Sequence, residues 1–444
     1  MGRPFSTEQL KKKPLPPNVA LPIFSSSALS SLAYAPDEIL LTLAIAGIAA
    51  TALSPMVGLA VLAVLVVLVL SYRQSVMEYP SGGGDYEIVK KNLGARPGTA
   101  VAAALLVDFV LTVAVSSSSA ALYLAAIFPA VAEYKAWVAA ALVAFLVVGN
   151  LRGKGQGRWT LAIPVYLFVI GMLLLVAIGG VMALTGSLGL APSADFTIVP
   201  EAEFANGLHG VVGALLILRA FSTGSAALTG IEVPISNVQS LAKPRAKNAA
   251  RILLVLGLLS GVLTLGTLML ARATGIKVVA DPQASFLLHG EPLPEGFVQI
   301  PVLGQLAQAV FGDFTFGLVI VSVLTIAVLL LAGNQAFNSF PLLASHLATD
   351  GFLPRQLRTR GDRLGFSNGI LSLGIAAIAL VLLFQGDVTL LVQLYVVGVF
   401  VSFTLSQLAM LKHWKRVLVP IADRKIRAAT QRKRLPNLVR LVLS

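Results

Sequence analysis

The chain has 444 residues, of which 57% are hydrophobic and 12% are charged. Soluble proteins carry about 25% charged residues, so this composition excludes an ordinary soluble protein and predicts a polytopic membrane protein. The net charge of +13 does not indicate nucleic acid binding, because the basic residues lie in alternate loops, as in membrane proteins with positive cytoplasmic loops.

Apolar segments of about 20 residues or more predict a series of membrane-spanning helices. We place ten spans at 25–51, 56–78, 98–128, 133–150, 158–185, 207–238, 248–275, 301–333, 366–384 and 388–411. The transmembrane domain is therefore predicted at 25–411. Residues 1–24 are predicted as a cytoplasmic N-terminal segment, and the basic residues 412–444 as a cytoplasmic tail that lies on anionic lipid.

Lysine and arginine concentrate at the N-terminus and in the loops after the even-numbered spans, whereas the opposite loops contain little beyond Lys135 and Lys277. Positively charged loops stay on the cytoplasmic side. Both termini are therefore predicted to be cytoplasmic, which requires an even number of spans.

Small polar residues interrupt the first and sixth spans at matching positions, within 24–38 and 218–232. A non-helical segment at membrane depth persists only where it is buried in protein or lines a polar cavity. Two such segments in corresponding places mark the binding site of a secondary transporter. The two halves, 25–185 and 207–411, would insert in opposite orientations. The predicted fold class is an all-α polytopic membrane protein with a LeuT-like 5+5 inverted repeat and with helices 1 and 6 broken.

The interruptions contain side-chain oxygens and expose main-chain polar groups. Free carbonyl groups suit a small cation, whereas free amide groups at a half-helix N-terminus suit an anion such as a carboxylate. Both interpretations stay open from these residues. The candidate binding residues are Ser27, Ser31 and Tyr34 in the first interruption and Ser222, Thr223, Gly224 and Thr229 in the second.

A carboxylate, Asp108, lies in the middle of the third span. It would cost about 3 kcal/mol at the bilayer centre on insertion scales, so we expect it to face the protein interior. Helical spacing places Thr112 and Ser116 on the same face. This polar stripe predicts the wall of an ion or substrate path; the alternative is a hydrogen-bonded seam between helices. Tyr395 in the tenth span is a candidate gate or a packed aromatic residue.

Acidic residues near the interruptions are candidates for proton coupling, because a carboxyl group inside the membrane can take up and release a proton. A structural ion pair with Arg219 is an equally compatible interpretation. The candidates are Asp37, Glu38, Asp108 and Glu232.

The sequence contains no motif for catalysis or ATP binding. The four histidines lack metal-ligand spacing, and the absence of cysteine excludes disulfides and thiolate metal sites. No phosphate-binding loop is present. We therefore expect neither an enzyme nor an ATP-driven pump, and no cofactor.

Nine short segments carry a resemblance to a known family: 30–34, 79–86, 106–108, 111–116, 150–153, 227–232, 340–344, 360–369 and 394–400. Together they resemble the amino acid–polyamine–organocation (APC) superfamily, over roughly residues 20–415. Within it, the chain most resembles bacterial potassium importers that are driven by proton symport. The resemblance implies proton-coupled potassium uptake across the bacterial inner membrane.

The same resemblance implies a set of potassium ligands, namely Tyr34, Asp108, Thr112, Ser116 and Tyr395. Two positions depart from the importers, because Ser27 replaces an aspartate and Phe109 replaces a tyrosine. Fewer charged ligands lower the affinity for a cation. A proton-coupled amino acid permease is therefore the alternative function.

The expected partners are the lipid bilayer and a small cation or an amino acid, without nucleic acid, and no oligomer is predicted. The importers continue beyond the tenth span with two helices and a regulatory domain, through which they dimerise and bind cyclic di-AMP. We expect this chain to lack both parts, so neither property is carried over.

Overall fold

The computed structural model of the chain describes residues 14–80, 84–152, 158–205, 207–312, 315–359 and 366–418. Residues 1–13 of the predicted N-terminal segment and residues 419–444 of the predicted tail lie outside this range. Parts of the segments 79–86, 150–153 and 360–369 also lie outside it.

The described chain is mainly α-helical, because a chain in lipid must satisfy its main-chain hydrogen bonds within each segment. The helices of the first half are α1 Pro17–Ser30, α2 Ala35–Ala44, α3 Ile48–Thr51, α4 Ser54–Glu78, α5 Gly84–Leu93, α6 Ala95–Ile127, α7 Lys135–Leu151 and α8 Arg158–Thr185. Those of the second half are α9 Gly210–Gly224, α10 Val233–Ser236, α11 Arg245–Ala273, α12 Pro282–Ser285, α13 Val302–Phe311, α14 Thr315–Thr349, α15 Ser367–Leu383 and α16 Val388–Leu418.

Eight segments of the described chain are long and apolar enough to cross a bilayer: Pro17–Ala44, Ile48–Glu78, Ala95–Ile127, Trp159–Thr185, Gly210–Ser236, Arg245–Ala273, Phe316–Thr349 and Val388–Val417. The chain is therefore a multi-pass membrane protein. Two further apolar helices, α7 and α15, have 17 residues each, which is at the lower limit of about 17 for a spanning helix. The total of ten spans stays a prediction.

The eighth predicted span, 301–333, differs from the structure. Its beginning forms the separate ten-residue helix α13, and the long helix α14 continues to Thr349. Gly312 follows α13 with a φ of 60° and a ψ of −138°, a conformation that glycine adopts readily because it has no Cβ, and the helix ends there. Helix α16 also extends beyond the predicted end at 411, to Leu418, because the polar residues of its last turns are compatible with a helix outside the hydrocarbon.

A small antiparallel sheet, not foreseen from the sequence, joins two long loops. Its strands are β1 Phe196–Ile198, β2 Phe286–Leu288 and β3 Glu291–Pro292. The rings of Phe196 and Phe286 pack with centroids 5.2 Å apart. The Lys277 ammonium group donates hydrogen bonds to the carbonyl oxygens of Ala194 and Phe196, both at 2.5 Å. These contacts hold the loops together at one end of the helices.

Helices α4 and α11 approach each other closely through glycine positions. A Cβ at Gly257 would lie 2.6 Å from a methyl group of Val69, and one at Gly261 would lie 2.5 Å from a methyl group of Leu62. Small residues at such contacts let membrane helices pack by van der Waals interactions. These two helices also provide most of the lining of a pocket that they share with α16.

Candidate functional site

The first membrane segment leaves α-helical geometry between α1 and α2. Residues Ser31–Ala33 form a 3₁₀ turn, and Tyr34 follows with φ −136° and ψ −27°. The hydroxyl groups of Ser30 and Ser31 donate hydrogen bonds to the carbonyl oxygens of Ser27 and Ala28, at 2.7 and 2.6 Å. These local bonds compete with regular helix hydrogen bonding, which explains why the serine-rich sequence turns here.

The segment after α9 changes its geometry in a similar way. A 3₁₀ turn covers Ser225–Leu228, Thr229 is extended, and Gly230 has a φ of 79°. The Thr229 hydroxyl donates to the carbonyl oxygen of Ala226 at 2.8 Å. Gly230 makes the left-handed conformation inexpensive, because it has no Cβ.

Oxygen-bearing side chains from the first interruption, α6 and α16 converge in the interior. The Thr112 hydroxyl donates a hydrogen bond to the Tyr395 hydroxyl at 3.2 Å. Asp108, one turn earlier on α6, lies within electrostatic range of the Tyr34 and Tyr395 hydroxyls. The four side chains are between 1 and 7% exposed, so the cluster lies in the protein interior.

Asp108 carries a buried carboxylate oxygen, Oδ1, that has no hydrogen-bond partner within the described part of the chain. Glu232 lies within electrostatic range of it. Two ionised carboxylates in a buried place repel each other, and a buried charge without compensation is costly. A cation or a proton at this position would offset the negative charge.

The polar stripe of α6 continues from this cluster towards the first interruption. Ser116 is buried one turn after Thr112. Further along, the Tyr123 hydroxyl donates a hydrogen bond to the carbonyl oxygen of Ala33 at 3.0 Å. This face of α6 therefore lines the cluster. Through Tyr123 it also forms a hydrogen bond that holds the 3₁₀ turn Ser31–Ala33 in place.

The sequence matches the known proteins of one transporter family. A sequence model described as amino acid permease matches residues 19–433. The chain belongs to the amino acid permease family. It is 39% identical over 414 residues to the potassium transporter KimA of Bacillus subtilis (strain 168), covering 93% of this chain and 64% of KimA. The chain thus spans about 64% of the length of this curated relative, and the APC resemblance is confirmed.

Some of the predicted binding residues lie outside the cluster. Ser222 is exposed and lines a pocket with the membrane-facing Val397. The hydroxyl oxygens of Thr223 and Thr42 are 3.2 Å apart, where α9 contacts α2. Gly224 packs against Ile39, since a Cβ there would lie 2.5 Å from Cγ1 of that side chain. Thr229, in contrast, is buried directly before Gly230, which packs against α1.

Two of the acidic candidates have defined partners. The Thr389 hydroxyl donates a hydrogen bond to Glu38 Oε1 at 2.8 Å, and the Val302 amide donates one to Asp37 Oδ1 at 2.9 Å. Val302 begins α13, so Asp37 satisfies a free amide group at a helix N-terminus. Arg219 lies within electrostatic range of Glu38.

A further buried carboxylate, Asp85, was not identified from the sequence. It is 1% exposed. It accepts hydrogen bonds from the hydroxyl groups of Tyr72 at 2.8 Å, Ser406 at 2.7 Å and Ser402 at 3.3 Å. Asp85 thereby links α5 to α4 and α16. Its segment, 79–86, carried part of the family resemblance, but the distant serines on α16 gave no local signal.

Proposed function

We propose that this chain is a secondary transporter that imports potassium together with protons. The support for the substrate is the 39% identity to the potassium transporter KimA. The architecture that we propose is the LeuT-like inverted repeat of 25–185 and 207–411, in which α7 and α15 complete ten spans. The chain acts in the bacterial inner membrane, with both termini in the cytoplasm.

The observation that carries the proposal is the buried Asp108 Oδ1 without a hydrogen-bond partner in the described chain. A transported cation loses its hydration shell, and protein oxygens have to replace it. The side chains of Tyr34, Thr112 and Tyr395 supply neutral oxygens around this carboxylate. In this proposal Ser116 contributes one more oxygen from the next turn of α6.

The proton step involves the two carboxyl groups of Asp108 and Glu232, which lie within electrostatic range of each other. Potassium at Asp108 is compatible with one ionised carboxylate, whereas two ionised carboxylates without a cation repel. A proton on Glu232 leaves Asp108 as the single ionised member of the pair, so potassium and the proton are bound together and are released on the same side of the membrane. Asp37 is less suited to this role, because its carboxylate satisfies the N-terminus of α13.

The second candidate function is proton-coupled amino acid uptake. The description of the matching family model, amino acid permease, supports it. Ser27 also supports it, because this neutral side chain replaces a carboxylate of the potassium importers and so removes a charged cation ligand. Either substrate would occupy the same cluster between the interruptions.

Growth of a potassium-uptake-deficient bacterium at limiting potassium tests the proposal. We expect growth with the wild-type chain, and loss of growth with Asp108→Asn at equal membrane abundance. Asp195→Asn is the matched control, because it makes the same change on an exposed loop residue and should grow like wild type. No growth with any variant, together with proton-dependent amino acid uptake by the wild-type chain, would favour the second candidate.

A further inference from the structure

A pocket separate from the substrate cluster opens between α4, α11 and the end of α16. Its volume is about 570 Å³. Helices α4 and α11 contribute most of its lining, and the buried Trp414 contributes the part from α16. The pocket lies at the end of the molecule where α11 begins after the basic loop that precedes Arg245.

Cationic side chains dominate the charge of this pocket. Arg73 comes from α4, and Lys247 and Arg251 come from successive turns of α11. None of the three forms an ion pair in the described part of the chain. One carboxylate also lines the pocket, Glu78, which lies 3.8 Å from His413. The local charge is therefore positive.

Arg73 gives the strongest indication of a missing anion. Its Nε atom is buried and has no hydrogen-bond partner in the described residues. The Arg73 side chain as a whole is partly exposed, but a buried donor of a charged group that lacks a hydrogen-bond partner is costly. The first turn of α11 contains no acidic residue, although acidic groups are favoured at a helix N-terminus and basic ones are not. An anion in the pocket would offset both disadvantages.

The side wall of the pocket is apolar and faces the membrane. Leu70, Met77 and Leu254 are 41, 51 and 40% exposed, and all three lie on helices that are long and apolar enough to cross a bilayer. A free phosphate would leave this wall uncovered. Basic pockets between transmembrane helices bind the headgroups of anionic lipids. The cationic side chains of the pocket suit a phosphate group, and its apolar wall suits acyl chains. An amphiphile with a phosphate group fits both.

We propose that this pocket binds an anionic phospholipid. The phosphodiester lies against Arg73, Lys247 and Arg251, and the acyl chains lie along the exposed faces of α4 and α11. This site is independent of the transported substrate, so failure of the potassium proposal would leave it unaffected.

Lipid retention by the full-length chain tests the site. Native mass spectrometry would compare phosphatidylglycerol with phosphatidylcholine of the same acyl chains. We expect a preference for phosphatidylglycerol that falls about 30-fold in the double variant Lys247→Gln/Arg251→Gln, because each basic residue near anionic lipid contributes about 1 kcal/mol. Arg73→Gln should also weaken retention, and it provides an independent variant if the double variant does not fold.

The matched control is Lys412→Gln/Lys415→Gln, which removes two exposed cations from α16 at the same end of the protein. It should retain phosphatidylglycerol within about twofold of wild type, since these residues do not line the pocket. An equal loss in both double variants would assign the effect to surface charge and overturn the proposal. Equal retention of phosphatidylcholine, or full competition by glycerol phosphate, would also overturn it.

Discussion

Gly230 lies directly against the main chain at Ala28: a Cβ at Gly230 would be 2.5 Å from the Ala28 nitrogen and 2.8 Å from the Ser27 hydroxyl oxygen. The segment that follows the second 3₁₀ turn therefore packs against the last turns of α1 at a glycine that has a φ of 79°. The close packing also explains why polar main-chain atoms at membrane depth are shielded from lipid.

Substitution of Gly230 by alanine should destabilise the protein. The new methyl group meets main-chain atoms, which cannot move aside like a flexible side chain, and a non-glycine residue in a left-handed conformation costs about 1–3 kcal/mol. We expect a lower midpoint of thermal unfolding in detergent and reduced uptake. Gly180→Ala is the control, because a Cβ there meets nothing within 4 Å. Equal midpoints for the two variants would contradict the packing argument.

Removal of the Tyr395 hydroxyl should weaken substrate binding. Tyr395→Phe deletes the partner of Thr112 and one oxygen near Asp108. A lost hydrogen bond between neutral groups costs about 0.5–1.5 kcal/mol, so we expect the KM for potassium or rubidium uptake to rise by about two- to tenfold. Tyr134→Phe makes the same change at a side chain that is 55% exposed and should leave the KM unchanged. An unchanged KM for Tyr395→Phe would remove this hydroxyl from the site.

The sequence predicts the position of Asp108 well, because a charged group in a long apolar helix must face the protein interior. Serine, threonine and glycine accumulate in 24–38 and 218–232, and each range contains a 3₁₀ turn; the break of both spans within the membrane stays a prediction. The sequence does not show that Ser222 and Thr223 have different surroundings. Because α9 remains helical up to Gly224, these two neighbouring residues lie on different faces of the helix. The bond between Thr389 and Glu38 joins residues 351 positions apart, and no local pattern indicates such a partner.

The acidic residues near the first interruption should differ from Glu232 in their effects. Asp37→Ala removes the acceptor for the Val302 amide. Loss of such a helix-end acceptor costs about 0.5–2 kcal/mol, so we expect lower thermal stability but an unchanged ratio of protons to potassium. Glu232→Gln should instead make uptake independent of the pH gradient, because it removes a carboxyl group near Asp108.

Uptake into proteoliposomes with and without an imposed pH gradient would separate these two effects. Glu203→Gln serves as the control for Glu232→Gln, because Glu203 is exposed on a loop. Proton dependence that survives in Glu232→Gln but disappears in Asp37→Ala would reverse the assignment of the coupling residue.

The junction of α5 with the end of α14 should weaken at low pH. Lys90 Nζ lies 2.7 Å from Asp350 Oδ2, and the Tyr86 hydroxyl donates to the same oxygen at 2.5 Å. The Lys90 hydrogen bond, followed by that of Tyr86, holds the pKa of Asp350 below its usual value of 3.8. The lowered pKa means that the ionised form stabilises the folded state, so the contribution is complete above pH 3.8 and is lost as the pH falls through the folded-state pKa.

We therefore expect the thermal unfolding midpoint of the wild-type chain to fall more steeply below about pH 4 than that of Asp350→Asn, which has no carboxylate to protonate. The difference should be small and should decrease with added salt, because partly exposed ion pairs contribute only about 0–1 kcal/mol and are screened. Glu87→Gln changes an exposed acidic residue on α5, the helix that carries Lys90, and should behave like wild type. Identical pH profiles for wild type and Asp350→Asn would show that this junction does not contribute to stability.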